Sequence, residues 1–163
     1  MIAIAACDPD SLDARTLIEE LSAALAAITG DSGKASFSAD DARAARSLFV
    51  VARGDAGELL GCAALRPLDG DVGEVKRMFA RPGASGVGAA LLAHVERAAQ
   101  GFGYHQLWLE TRKVNTRALA FYAKHGYGII SNYGKYVGRD DAVCLGKLLR
   151  DDEASFSPLR QSS

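Results

Sequence analysis

Between residues 72 and 100 the hydrophobic period of this chain changes from that of a strand to that of a helix, across a run of small residues. Val72 to Ala80 forms a β-type run and Arg81-Pro82 interrupts it. Gly83-Ala84-Ser85-Gly86-Val87-Gly88 then leads into a helix to about residue 100, with Leu91, Leu92, Val95 and Ala98 on one face. Ahead of this point, residues 1–7 suit a strand, 12–28 an amphipathic helix closed by Gly30, and 39–46 a short helix entered at Ser38. Two more β-type runs, Leu48 to Arg53 and Glu58 to Leu65, flank a hairpin turn at Gly54-Asp55-Ala56-Gly57. Behind it come a strand over 104–111, a helix capped by Asn115 and ending at Gly126, a strand over 127–130, a polar-aromatic loop and a last strand over 142–149. The chain thus passes from an antiparallel meander to a β-α-β-α crossover.

A glycine turn between strand and helix exposes successive backbone N–H groups, and the helix N-terminus adds partial positive charge, a geometry that suits phosphate oxygens. A P-loop would need Lys and Ser/Thr where Ala89 and Ala90 stand, so nucleoside triphosphate hydrolysis is not expected. The dinucleotide fingerprint also fails, because Gly86 and Gly88 would require a small residue at the position of Leu91. A CoA-type pyrophosphate remains, beside the alternative of a tight turn that binds nothing.

The neighbouring segments decide between these. Glu74-Val75-Lys76-Arg77-Met78-Phe79-Ala80-Arg81-Pro82, then GVGAALL, LWLET and NTRALAFYAKHGY, resemble the central motifs of the GNAT superfamily of N-acetyltransferases in the family's order, over roughly residues 45–149. The resemblance implies an α/β (α+β) GNAT fold, with a mixed, mostly antiparallel sheet of about six to seven strands flanked by about four helices. It implies acetyl-CoA as co-substrate, held by Met78, Phe79, Ala80 and Arg81 on the strand and by Ser85, Gly86, Val87, Gly88 and Ala89 at the turn. Asn115, Ala118 and Tyr122 on the later helix complete that set. One departure stands out: the family's loop is Arg/Gln-x-x-Gly-x-Gly/Ala, whereas here Gly83 holds the first position and the nearest arginine is Arg81. The loop is about two residues short, which predicts weaker or reoriented cofactor binding.

Acetyl transfer from a thioester to an amine by direct attack in a ternary complex needs a neutral nucleophile, an oxyanion stabiliser and a proton for the departing thiolate. Tyr122, in the family's Phe-Tyr position, is the expected acid; packing in the core is its other reading. Glu74, on the strand entering the turn and by alternation on one face with Lys76 and Met78, is the expected base; a plain ion pair with its basic neighbours is the other. The resemblance also implies that the backbone N–H near Phe79 meets the oxyanion, where the family's strand splays from its neighbour. Asn132, Tyr133, Lys135 and Tyr136 form the loop expected to close over the acceptor, and Asp31, Asp40 and Asp41 offer local negative charge for a cation. A non-catalytic acyl-CoA-binding or sensor module on the same fold is the competing class.

The 163 residues and 48% apolar content suit one domain, expected over 1–150, with 151–163 as a polar tail. A net charge of −1 argues against nucleic acid or membrane as partner and leaves a small-molecule or protein amine, with a homodimer possible through an apolar last strand that is either core or edge. The N-terminal segment lacks the basic region of a signal peptide, so a cytoplasmic location is expected. Cys7, Cys62 and Cys144 are expected as buried thiols, and no His lies at ligand spacing, so no metal is assigned.

Overall fold

The computed structural model describes residues 1–34 and 37–149. The expected tail lies outside them. The first helix, α1 (Leu12–Thr29), starts where the Ser11 side chain accepts the Ala14 N–H and stops at Gly30, whose φ of 82° closes it in the left-handed region. The short α2 (Ala39–Arg43) is held by a reciprocal capping box between Ser38 and Asp41.

Seven strands form one sheet. In chain order they are β1 (Ala3–Ala6), β2 (Leu48–Arg53), β3 (Leu59–Pro67), β4 (Val72–Ala80), β5 (Gln106–Arg112), β6 (Gly128–Ile130) and β7 (Ala142–Leu148), arranged β1-β2-β3-β4-β5-β7-β6. Every pairing is antiparallel except β4–β5, where the chain crosses over through α3 (Val87–Gly101), as a parallel pair requires. The remaining helix, α4 (Thr116–Lys124), joins β5 to β6. The last strand is therefore interior, between β5 and β6, and the edge reading of it is corrected.

Both faces of the sheet are covered, which explains why LFVVAR in β2 is apolar almost without alternation. On one face α3 (Val87, Leu91, Leu92, Val95, Ala99) and Tyr122 of α4 pack on Val50, Ala63, Leu65 and Val75. On the other, Ala14 and Leu17 of α1 and Ala42 of α2 cover Phe49, Val51, Cys62 and Ala64. Cys62 and Cys144 are buried free thiols as expected, whereas Cys7 is only half-buried, near Ser11 Oγ at 3.3 Å.

Strand β4 carries the one irregularity that matters for the site. Cys62 pairs with Phe79 but Ala64 with Lys76, so two residues, Arg77 and Met78, stand opposite one. Arg77 sits at φ 54°, a left-handed conformation unusual for a residue with a side chain. The bulge resets the alternation: Met78 and Ala80 pack on the α3 face and Phe79 on the α1 face. Met78 thus does not share a face with Glu74 and Lys76, contrary to simple alternation. Arg77 turns to the α1 side, donating to the carbonyls of Gly33 (2.8 Å), Lys34 (3.2 Å) and Phe37 (3.1 Å).

Candidate active site

At the glycine turn, Gly83 and Gly86 adopt φ values of 88° and 77°, conformations open to glycine at little cost. Gly86 is the N-cap of α3, and no side chain caps that helix. The first-turn N–H groups, including those of Gly88 and Ala89, are thus left for an external acceptor, and an anion fits there. Gly88 has a further reason to lack a side chain, since a Cβ would lie 3.3 Å from the Phe121 ring. The Arg81 side chain is spoken for: it donates to both carboxylate oxygens of Glu20 in α1 at 2.8 and 2.7 Å and to the Leu59 carbonyl at 3.0 Å. Its guanidinium is thus engaged away from the turn, and its backbone is the part that lies there, the carbonyl accepting the Ala84 N–H.

Strands β4 and β5 pair only from Val72–Gln106 to Glu74–Trp108. Beyond that, the rest of each strand runs on without pairing to the other, and the sheet opens into a gap. A cleft of about 260 Å³ lies there, lined by Val75, Lys76 and Arg77 of β4, by Glu110, Thr111 and Arg112 of β5, and by Asn115 and Tyr136 among others. Main-chain groups of β4 facing an open gap can receive an extended ligand arm as an added strand. Asn115 caps α4 by accepting the Ala118 N–H at 3.2 Å, which fixes both residues beside the gap.

Tyr122 projects from α4 into the α3-face core, 8% exposed and edge-on to Phe121 and Tyr127 at 5.1 and 5.6 Å between ring centres. Its phenol has no hydrogen-bond partner among the described residues, and burial pushes its pKa above the ordinary tyrosine value. It lines neither of the clefts on the α1 side.

Glu74 lies on the opposite face, 1% exposed. Arg66 Nε donates to Oε1 at 2.8 Å and Tyr133 Oη–H to Oε2 at 2.6 Å, while Lys76 Nζ stands 3.9 Å away. Lys76 donates to Tyr136 Oη at 3.1 Å, and burial pulls its pKa down to about 8. Glu74, Tyr133, Lys135 and Tyr136 line a second cleft of about 480 Å³ together with Arg66 and Asp41, and Lys135 and Tyr136 line both clefts. Asn132 does not join them. Its amide donates to the carbonyls of Tyr136 and Arg139, both at 3.1 Å, and so shapes the loop.

The sequence reading missed Glu110. This carboxyl is 9% exposed in the gap, bound closely by Arg112, with its pKa raised chiefly by burial. Its place on the outward alternation of LWLET was visible, but its importance depends on where β4 and β5 part. Among the described residues no group of three or more His, Cys, Asp or Glu is arranged to hold a metal ion, and no helix is long and apolar enough to cross a membrane.

Residues 15–127 match the Acetyltransferase (GNAT) family. The "IAA acetyltransferase" of Azospirillum brasilense is 38% identical over 91 residues, 54% of this chain and 59% of that protein. An uncharacterized N-acetyltransferase of Mycobacterium tuberculosis is 39% identical over 87 residues, 52% of this chain and 54% of that protein. The chain thus spans little more than half the length of the curated relatives it matches. A Klebsiella pneumoniae structure described as a candidate acyl-CoA N-acyltransferase superposes with a TM-score of 0.77 at 25% identity, covering 92% of this chain and 99% of that one. A GNAT family acetyltransferase from Elizabethkingia anophelis, solved with acetyl-CoA bound, has the same fold with a TM-score of 0.67 at 20% identity, covering 91% and 98%. With its motifs in the family's order and its sheet opened between β4 and β5, this chain belongs to the GNAT family of acetyltransferases.

Proposed function

We propose that this protein transfers an acetyl group from acetyl-CoA to a primary amine by direct attack in a ternary complex. The observation that carries the reading is the opening between β4 and β5: a buried tyrosine lies on one face of the sheet and an acceptor-sized cleft with carboxylates on the other. Acetyl-CoA supplies the activated thioester. The uncapped start of α3, Ser85 to Ala89, is the seat for its pyrophosphate, and the open side of β4 from Met78 to Ala80 is the rail for its arm. The short loop and the committed Arg81 leave backbone groups as the main phosphate donors, which favours modest affinity.

Tyr122 holds its proton far into the alkaline range and donates it to the departing thiolate from the α3 side. The N–H groups at the bulge near Phe79 meet the charge that develops on the carbonyl oxygen. For the base, Glu74 acts through Tyr133: an amine proton passes to Tyr133 Oη as the Tyr133 proton passes to Glu74 Oε2. Glu110 is favoured as a second candidate because it lines the gap itself.

Release of CoA thiol across a broad amine panel tests the reading, with thermal unfolding followed in parallel. A site of micromolar affinity adds about 4 kcal/mol of stability at millimolar acetyl-CoA. Stabilisation with amine-dependent thiol release supports the proposal. Stabilisation without release from any amine favours the non-catalytic acyl-CoA binder, and absent stabilisation overturns both readings.

A further inference from the structure

Resting on the acetyl-transfer reading, the geometry points to an acceptor that is a small amine also carrying a carboxylate, of amino-acid type, with that carboxylate held by Lys135 at the junction of the two clefts. Charges in the clefts are already paired in part. Every carboxylate lining them is bound to an arginine: Asp31 and Glu110 to Arg112, Asp41 and Glu74 to Arg66. The acidic residues expected to attract a cation are therefore already engaged, Asp40 included, through Arg43.

The unmatched charge is positive. Arg77 has backbone carbonyls as its partners and a buried Nε without any, and Lys135 has no carboxylate within ion-pair distance among the described residues. Lys135 lies 5.7 Å from the Tyr136 ring, exposed and lining both clefts. The spare charge is not needed for cofactor phosphates, because no residue of the glycine turn lines either cleft.

Lys76 shows what this environment does to an amine: burial outweighs the attraction of Glu74, and with Arg66 and Lys135 adding repulsion it disfavours the ammonium form. An acceptor amine placed beside it is likewise pushed toward the neutral form that attacks a thioester. A carboxylate on the same molecule is drawn to Lys135 and offsets the local charge. Polycationic amines gain neither advantage.

The test compares kcat/KM for amino acids, their carboxamides and the matching decarboxylated amines, in wild type, Lys135→Ala and Lys135→Arg, with melting temperatures confirming that each variant folds. A carboxamide amine is less basic than that of its parent acid, so preference for the acid cannot arise from a larger neutral fraction. The expected result is a preference of about tenfold or more for acids, narrowed about tenfold by Lys135→Ala and largely kept by Lys135→Arg. Amides or plain amines turning over as well as acids overturn the inference, as does a preference indifferent to Lys135→Ala. In those cases acetyl transfer itself stands. No thiol release from any amine, with acetyl-CoA still stabilising the protein, overturns both.

Discussion

Tyr133 donates its hydroxyl proton to Glu74 across 2.6 Å, tying the loop before β7 to the centre of the sheet. Burial and the neighbouring carboxylate both hold the phenol protonated, so it remains a donor at all working pH values. Tyr133→Phe leaves Glu74 Oε2 without that donor in a site 1% exposed. The expected cost is about 1–3 kcal/mol in denaturant unfolding. If the relay operates, kcat falls as well while KM for acetyl-CoA stays near its original value.

Tyr122→Phe separates chemistry from packing. The phenol bonds nothing among the described residues, so removing it should shift the melting temperature little. Loss of a general acid should lower kcat by about 100-fold or more. An unchanged kcat would return Tyr122 to the hydrophobic core.

The two base candidates are separated by substitution and a pH profile. Burial raises the Glu110 pKa, so if Glu110 is the base, kcat/KM falls as pH drops through a value above the ordinary carboxylate range. Glu110→Gln should then abolish that limb, and Glu74→Gln should preserve it. The opposite outcome assigns the base to the Glu74–Tyr133 pair.

Lys76 imposes a pH dependence on stability. Its pKa is about 8 when folded, against the ordinary 10.5, so between these values the unfolded chain binds more protons and stability rises with pH. The burden is present in full below about pH 8 and is relieved by about pH 10.5. Lys76→Met should therefore gain stability relative to wild type near neutrality and lose that gain in alkali, as read by urea unfolding at both ends.

Gly86 and Gly88 should respond differently to alanine. At Gly86 the space is open but φ is 77°, so alanine costs about 1–2 kcal/mol of backbone strain and weakens acetyl-CoA binding by deforming the turn. At Gly88 a Cβ presses on Phe121, the neighbour of Tyr122, so kcat is expected to change more than affinity. Titration calorimetry and steady-state kinetics distinguish the two.

Most of the fold was legible because its boundaries are written in local chemistry. Ser11, Ser38 and Asn115 accept the N–H groups that open their helices, and Gly30 ends α1 by a backbone conformation it adopts cheaply. What escaped was set by contacts distant in sequence. Nothing near Arg81 announces Glu20, 61 residues away, and Arg77 gives no local sign of a left-handed turn. That one conformation moved Met78 to the other face, and the parting of the strands beyond Glu74 gave Glu110 its exposure to the gap.

Between α1 and α2, Arg77 grips Gly33, Lys34 and Phe37 by their main-chain oxygens, with the Phe37 ring 5.6 Å from its guanidinium. At Lys34 such a grip is indifferent to the side chain, which lines the larger cleft and is free to be exchanged, by evolution or by design, while the bulge that shapes β4 keeps its anchor. At that one position the lining of the cleft and the shape of β4 are separable.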